Sequence, residues 1–257
     1  MHDITVGVLC SGSSGNSILV SCDGAGVMVD AGLSCRELDR RLSAFGVEPS
    51  QIEAVVLTHE HTDHTRGAKR FCLEYGIPAY GTRGTIALTP LEGVKSSIIV
   101  SGQTFQTGHF VVRPFKVRHL AAEPVALSVT VSSKRIGIAS DLGSITPNVV
   151  EEMSESDLMF VESNYDEKML LSGDYPEFLK RAIKGDHGHL SNDDAGLLSR
   201  KASSDRTERI VLVHLSRDNN TPQKALDAVE AELEQAKHKP SVEVTEHGSS
   251  CGPFRLG

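Results

Sequence analysis

Four candidate metal ligands, His59, His61, Asp63 and His64, crowd into the six positions His59-Glu60-His61-Thr62-Asp63-His64, directly behind the apolar run Ala54-Val55-Val56-Leu57. A buried strand that ends on such a segment presents imidazole and carboxylate where apolar packing stops and a loop begins, which is where rigid scaffolds display reactive groups. His59 and His61 stand two apart, so an extended backbone points both rings to one side. Asp63 and His64 fall where the chain turns into a helix expected from Thr65. Imidazole and carboxylate without thiolate suit zinc, iron or manganese in an open site, not a closed structural zinc knot. The bland alternative is a solvated histidine-rich turn, and its place at the end of a buried strand argues against it.

Three further candidates close apolar runs in the same way. His119 follows Phe115-Lys116-Val117-Arg118, Asp141 follows Ile136-Gly137-Ile138-Ala139-Ser140, and His214 follows Ile210-Val211-Leu212-Val213. Each alone reads as a polar strand terminator. With the first cluster they complete seven ligands, enough for two metals. His109 is the rival to His119, which is preferred for its strand-end position.

The remaining signals describe an ordinary folded chain. Short Val/Ile-rich runs, predicted as strands, include Ile18–Val20, Gly26–Val29, Ala54–Leu57, Ile98–Val100, Phe110–Val117, Ala126–Val131, Arg135–Ala139, Leu158–Glu162, Ile210–Val213 and Val242–Thr245. Helices are expected after Ser34, which with Glu37 reads as a capping box, over Thr65–Tyr75, after Ser191, and from Thr221-Pro222 onward. The class is α/β, with sheets covered by helices. No Pro/Gly/Ser-rich linker divides the chain, so residues 1–257 are expected to form a single domain. The acidic stretch Glu151–Asp157 reads as a solvated face.

Five scattered cysteines without a CxxC pair read as reduced thiols, and neither a secretory signal nor an apolar run long enough to span a membrane is visible. The expectation is a cytoplasmic protein without membrane attachment. A net charge of -8 disfavours broad adhesion to nucleic acid but leaves room for a local cationic groove, or for metals that bring the positive charge.

The whole pattern resembles the metallo-β-lactamase-fold hydrolases, marked by HxHxDH followed by separated His, Asp and His; Val27-Met28-Val29-Asp30-Ala31-Gly32 is similar to their first motif. The resemblance runs from about Ser11 to Asn220 and implies an αββα sandwich with two divalent metal ions, zinc or manganese, at one sheet edge. It implies that His59, His61 and His119 hold one ion, that Asp63, His64 and His214 hold the other, and that Asp141 bridges them. Asp63 then belongs to the catalytic set, and Asp30 orients ligands without binding metal. True β-lactamases of this fold commonly use a cysteine where Asp141 stands, and no thiol is near that position. The resemblance therefore favours phosphodiester cleavage.

Gly188-His189-Leu190-Ser191-Asn192 and Val213-His214-Leu215-Ser216 resemble motifs of the tRNase Z-like nucleases, implying that the catalytic His189 contacts the scissile phosphate or protonates the leaving oxygen. The bland alternative is that His189 only helps to start the helix at Ser191. Only 21 residues separate His119 from Asp141 and 72 separate Asp141 from His214, leaving no room for an inserted RNA-binding arm or cap domain. The loop Ser11-Gly12-Ser13-Ser14-Gly15-Asn16-Ser17, the run Glu162-Ser163-Asn164-Tyr165-Asp166 and His214 to Asn220 resemble the bacterial YycJ/WalJ-type subfamily. That subfamily usually has an acidic residue after the third histidine, where this chain has Leu120. The likeness implies a 5′-to-3′ DNA exonuclease acting on single-stranded DNA or RNA, with Ser13, Asn16 and Ser216 near the substrate phosphate. The rival is a small-molecule phosphodiesterase or thioester hydrolase of the same fold; a non-catalytic metal-binding adaptor is the reading from another class.

Overall fold

The computed structural model describes residues 2–257. Its first half runs β1 (Ile4–Cys10), β2 (Ser17–Cys22), β3 (Ala25–Val29), α1 (Cys35–Ala44), β4 (Ile52–Val56), α2 (Thr62–Thr65), α3 (Ala68–Tyr75), β5 (Ala79–Gly81), α4 (Arg83–Leu88) and β6 (Ser96–Ile98). The second half runs β7 (Phe105–Thr107), β8 (Phe110–Lys116), β9 (Val125–Val131), β10 (Lys134–Ala139), α5 (Pro147–Met153), β11 (Leu158–Glu162), α6 (Glu167–Ser172), α7 (Glu177–Lys184), α8 (Asn192–Ala202), β12 (Arg209–Val213), α9 (Pro222–Leu233) and β13 (Ser241–Val244). A last strand, β14 (Cys251–Leu256), returns to pair with β1.

Two seven-stranded sheets result, ordered β14-β1-β2-β3-β4-β5-β6 and β13-β12-β11-β10-β9-β8-β7. The halves repeat one topology: an antiparallel run up to β3 or β10, then parallel strands. No sequence repeat announces this duplication, because pairing direction is set by where connections run and not by residue identity. Strand β11 explains the layering. Leu158 and Phe160 point between the sheets, while Met159 and Val161 point to the helices. A strand buried on both faces reads as a continuous apolar run, as this one does. The inter-sheet layer also holds Val27, Val29, Val56, Phe110, Leu127 and Ile138. Leu38 and Leu42 of α1 and Phe71 of α3 cover one outer face; Val149, Leu198 and Val229 of α5, α8 and α9 cover the other. This is the αββα sandwich.

The expected strands are all present, within a few residues at their ends. Strands β1, β5, β7 and β14 were not foreseen: β5 and β7 are three residues each, and β14 is a Gly-Pro-containing edge defined by its partner β1. Ser34 caps α1 through its side chain, but Glu37 turns instead to Arg40 and Arg41, so only half of the expected box forms. The helix expected over Thr65–Tyr75 is broken into α2 and α3. At the break the Gly67 N–H bonds the Ala31 carbonyl at 2.8 Å, and a Cβ there would lie 2.0 Å from the Leu33 oxygen. The acidic stretch is not a solvated face throughout. Glu152 pairs with Arg113, and Asp157 is buried against the Arg135 N–H and the Arg206 guanidinium.

Candidate metal centre

Six strand ends meet at one edge of the sandwich. β3 leads to Asp30, β4 to Thr58-His59, β8 to His119, β10 to Asp141, β11 ends in Glu162 and β12 leads to His214. Asp30, Asp141 and His214 take positive φ values of 62°, 54° and 59°. Such left-handed backbone costs a non-glycine residue about 1–3 kcal/mol and is kept where surrounding structure over-determines it. Here it turns the chain sharply off each strand.

The Asp30 carboxylate ties the first two ends together. Oδ1 accepts the Thr58 N–H at 2.8 Å, while Oδ2 accepts the Thr58 hydroxyl at 2.8 Å and His64 Nδ1–H at 2.7 Å. The other rings are pinned likewise from behind. His59 Nδ1 lies 3.0 Å from the Thr58 hydroxyl oxygen, His61 Nε2 3.1 Å from the Leu120 carbonyl, and His119 Nδ1 3.0 Å from the Gly188 carbonyl. His214 Nδ1 lies 3.2 Å from Glu162 Oε1. An acceptor on one ring nitrogen assigns the proton to it and leaves the other nitrogen with a free lone pair. Those second nitrogens all face inward.

There they meet each other and the carboxylates of Asp63 and Asp141. His61 Nδ1 and His119 Nε2 stand 3.4 Å apart. His64 Nε2 is 3.0 Å from Asp141 Oδ2 and 3.6 Å from Asp63 Oδ2; His214 Nε2 is 3.6 Å from both Asp63 Oδ2 and Asp141 Oδ1. His59 Nε2, His214 Nε2 and Asp141 Oδ2 are buried with no hydrogen-bond partner, although Asp141 Oδ2 is close to His64. Orphaned buried acceptors cost about 1–3 kcal/mol each, so an arrangement this dense in them needs a cation. Donors each about 2.0–2.1 Å from a tetrahedral zinc sit roughly 3.3 Å apart, the spacing seen here. The seven groups therefore fit divalent metal, in sets His59/His61/His119 and Asp63/His64/His214 with Asp141 between them. His109, the rival third histidine, is exposed in the β7–β8 hairpin.

Charge is distributed unevenly across the cluster. Burial, with His64 alongside, holds His59 well below the usual imidazole value. Burial would also lower His64 and His214, but the carboxylates win: Asp141 and Asp30 push His64 well above its ordinary value, and Asp141, Asp63 and Glu162 push His214 up to about 10. Asp141 resists the upward pull of burial and is held well below the usual carboxylate range by His214 and His64.

The structure brings His189 to the same edge, where it shares a further candidate donor set with Asp141, Glu162 and His214. Its ring stacks at 5.3 Å on His214 and its Nδ1 is 2.6 Å from Glu162 Oε1, with the side chain 23% exposed. Burial opposes a charge there, yet Glu162 raises the pKa of the ring. Glu162 had no assigned role in the sequence. It is fully buried, and its Oε2 accepts the Leu142 N–H at 2.8 Å, so one carboxylate supports both His189 and His214. The available signal was a single charge at the end of an otherwise apolar strand.

The residues expected at the substrate phosphate separate into three situations. Ser13 is exposed on the Gly/Ser loop. Asn16 is buried and committed: its Oδ1 accepts the Gly12 N–H at 2.8 Å and its Nδ2 points at Asp63 Oδ2 and His64 Nε2. Asn16 thus braces the ligands and does not face the solvent. Ser216 is half-buried, with its hydroxyl accepting the Asn219 N–H. His187 is exposed, whereas the His247 ring packs over Gly12.

A model of the Beta-lactamase superfamily domain matches residues 26–215. Exodeoxyribonuclease YycJ of Bacillus anthracis is 32% identical over 235 residues, covering 89% of this chain and 88% of that protein. Exodeoxyribonuclease WalJ of Streptococcus pneumoniae strain D39 is 30% identical over 236 residues, with the same shares covered. Among solved structures, the metallo-β-lactamase fold protein YhfI of Bacillus subtilis superposes with a TM-score of 0.74 over 98% of this chain and 99% of its own, at 19% identity. That likeness speaks to the fold.

Proposed function

The chain belongs to the metallo-β-lactamase superfamily, and from that premise we propose that it is a two-metal phosphodiesterase working as a DNA exonuclease. The observation that carries the reading is the inward-facing set of orphaned donors on His59, His214 and Asp141, backed by the His189–Glu162 pair. The three-imidazole set suits zinc; the set richer in carboxylate also accepts manganese. Two divalent cations held there would supply hydroxide at neutral pH and would neutralise charge on the phosphoryl oxygens.

The chain's own groups supply the rest. Asp141 lies between the two sets and holds them together. Asp63, braced by Asn16, fixes the open side of the second set, where the phosphate enters. His189 keeps Nδ1 on Glu162, which leaves Nε2 as the nitrogen that can meet the substrate. As the phosphorus–oxygen bond breaks, the leaving oxygen takes the proton from Nε2, and the raised pKa keeps that proton available at neutral pH. No cysteine belongs to the candidate donor sets at the centre, which supports a phosphodiester over a β-lactam substrate. The 5′-to-3′ polarity rests on the YycJ/WalJ-type resemblance alone.

Incubation of 5′- and 3′-labelled single-stranded DNA, RNA of the same sequence and bis(p-nitrophenyl) phosphate, with Mn²⁺ and Zn²⁺ in turn, tests the reading. Stepwise loss from the 5′ end of DNA is expected. Hydrolysis of the small diester alone would assign the protein to small molecules. Asp63→Ala and His64→Ala are expected to abolish cleavage with the melting transition retained. His189→Ala is expected to keep both metals, measured by elemental analysis, and to slow turnover by about 10²-fold or more. Loss of metal in that variant would make His189 a ligand.

A further inference from the structure

Strand β8 ends at Lys116, and beyond it exposed and buried residues alternate in a row on the way to the centre. Lys116, Arg118 and Leu120 are exposed, while Val117 and His119 are buried between them. Two residues of extended chain span roughly 7 Å, about one backbone repeat of a stretched single strand, which is the separation open to Lys116 and Arg118 before the chain turns at Leu120 through the Ala121 N–H to His119 carbonyl bond. Lys116 and Arg118 line two adjoining cavities of about 370 and 460 Å³ that share Ser101, Lys116, Val117 and Arg118, and the ligand His119 is part of the wall of the first.

On a chain of net charge -8 the walls of these cavities carry Arg113, Lys116 and Arg118 against the carboxylates of Glu152 and Glu123. Of these acids, Glu152 is taken by Arg113 and Glu123 accepts the Gly84 N–H. Lys116 pairs with no carboxylate among the described residues, and Arg118 meets Asp186 only at 3.6 Å in an exposed pair that water largely screens. Leu120 is 76% exposed although its carbonyl is fixed by His61. A large apolar side chain held in solvent beside two unspent cations matches a ligand with charged backbone and flat apolar bases.

We propose that the single-stranded nucleic acid entering the centre lies along this row, with successive phosphates on Lys116 and Arg118 and a base against Leu120. The inference rests on the nuclease reading. Contacts of this kind carry no base code, so the grip is sequence-neutral.

The test compares wild type with the Lys116→Ala/Arg118→Ala double variant and with Leu120→Ala on a single-stranded oligonucleotide and on bis(p-nitrophenyl) phosphate. The double variant is expected to raise the oligonucleotide KM by about 10-fold or more and to flatten the salt dependence of log K by about 1.4, two single-strand phosphate contacts' worth. Leu120→Ala is expected to raise the same KM without changing the salt slope. Both variants should hydrolyse the small diester at the wild-type rate. Equal KM and salt slope in wild type and double variant overturn the row while leaving the nuclease intact. Loss of both substrates together, with melting unchanged, also overturns it, since the row would then act on the centre itself. A wild type that hydrolyses the small diester but neither binds nor cuts the oligonucleotide overturns both readings.

Discussion

Glu162 concentrates much of the site's chemistry in one side chain. A carboxylate with no exposure, closing an apolar strand, would be costly if unpaired, and here it is repaid by the Leu142 N–H, His189 and His214. Its charge also sets the acid. Because Glu162 raises His189, the ring keeps its proton further into the alkaline range. Glu162→Gln removes the charge, His189 then loses its proton at lower pH, and the alkaline limb of kcat/KM is expected to move to lower pH. A pH–rate profile checks this; an unmoved limb with lowered metal content would restrict Glu162 to holding His214.

Among the elements, the turn carrying His61 to His64 depends on how closely the β1–β2 and β3–α1 loops approach it. The Asn16 N–H bonds the Asp63 carbonyl at 2.7 Å, the Ala31 N–H bonds the His64 carbonyl at 2.8 Å, and the Gly32 N–H bonds the Asn16 carbonyl at 2.9 Å. A Cβ on Gly32 would fall 1.6 Å from the Asp63 oxygen, which is backbone and cannot swing aside. Gly32→Ala is therefore expected to displace Asp63, with loss of metal from the Asp63/His64/His214 set and retention of the other ion. Metal stoichiometry alongside circular dichroism measures both. The short helices α2, α4, α6 and α7 were poorly legible for a related reason: they run four to eight residues, too short for a hydrophobic period to repeat, and loop contacts hold them.

For the molecule as a whole, the centre joins the two sheets. The β1–β6 sheet delivers His59, His61, Asp63 and His64; the β7–β13 sheet delivers His119, Asp141 and His214. Metal bound to the folded state alone stabilises it, by about 2.7 kcal/mol at a hundred times its Kd. Chelation is thus expected to lower the melting temperature. With His214 pushed up to about 10 and His64 well above its ordinary value, both rings carry protons near neutral pH in the metal-free protein. Binding must release them, so affinity is expected to weaken as pH falls, and calorimetric heats should vary with the ionisation enthalpy of the buffer.

The amino-acid sequence by itself determined the strand-rich α/β class, most strands, and the donors His59 to His64, because each of these is a local pattern of residue types a few positions long. His119, Asp141 and His214 were legible as polar residues closing apolar runs, although their meeting was not. Tertiary structure alone decided which nitrogen of each ring faces inward, that Asn16 braces ligands, that Glu162 serves two histidines, and that Asp157 is buried. Those outcomes depend on hydrogen-bond partners far away in the chain: Gly188 behind His119, Glu162 behind His214, and Asp30 behind His64. A local pattern specifies which group reaches a strand end; what waits for it there is set by the packing of the two sheets.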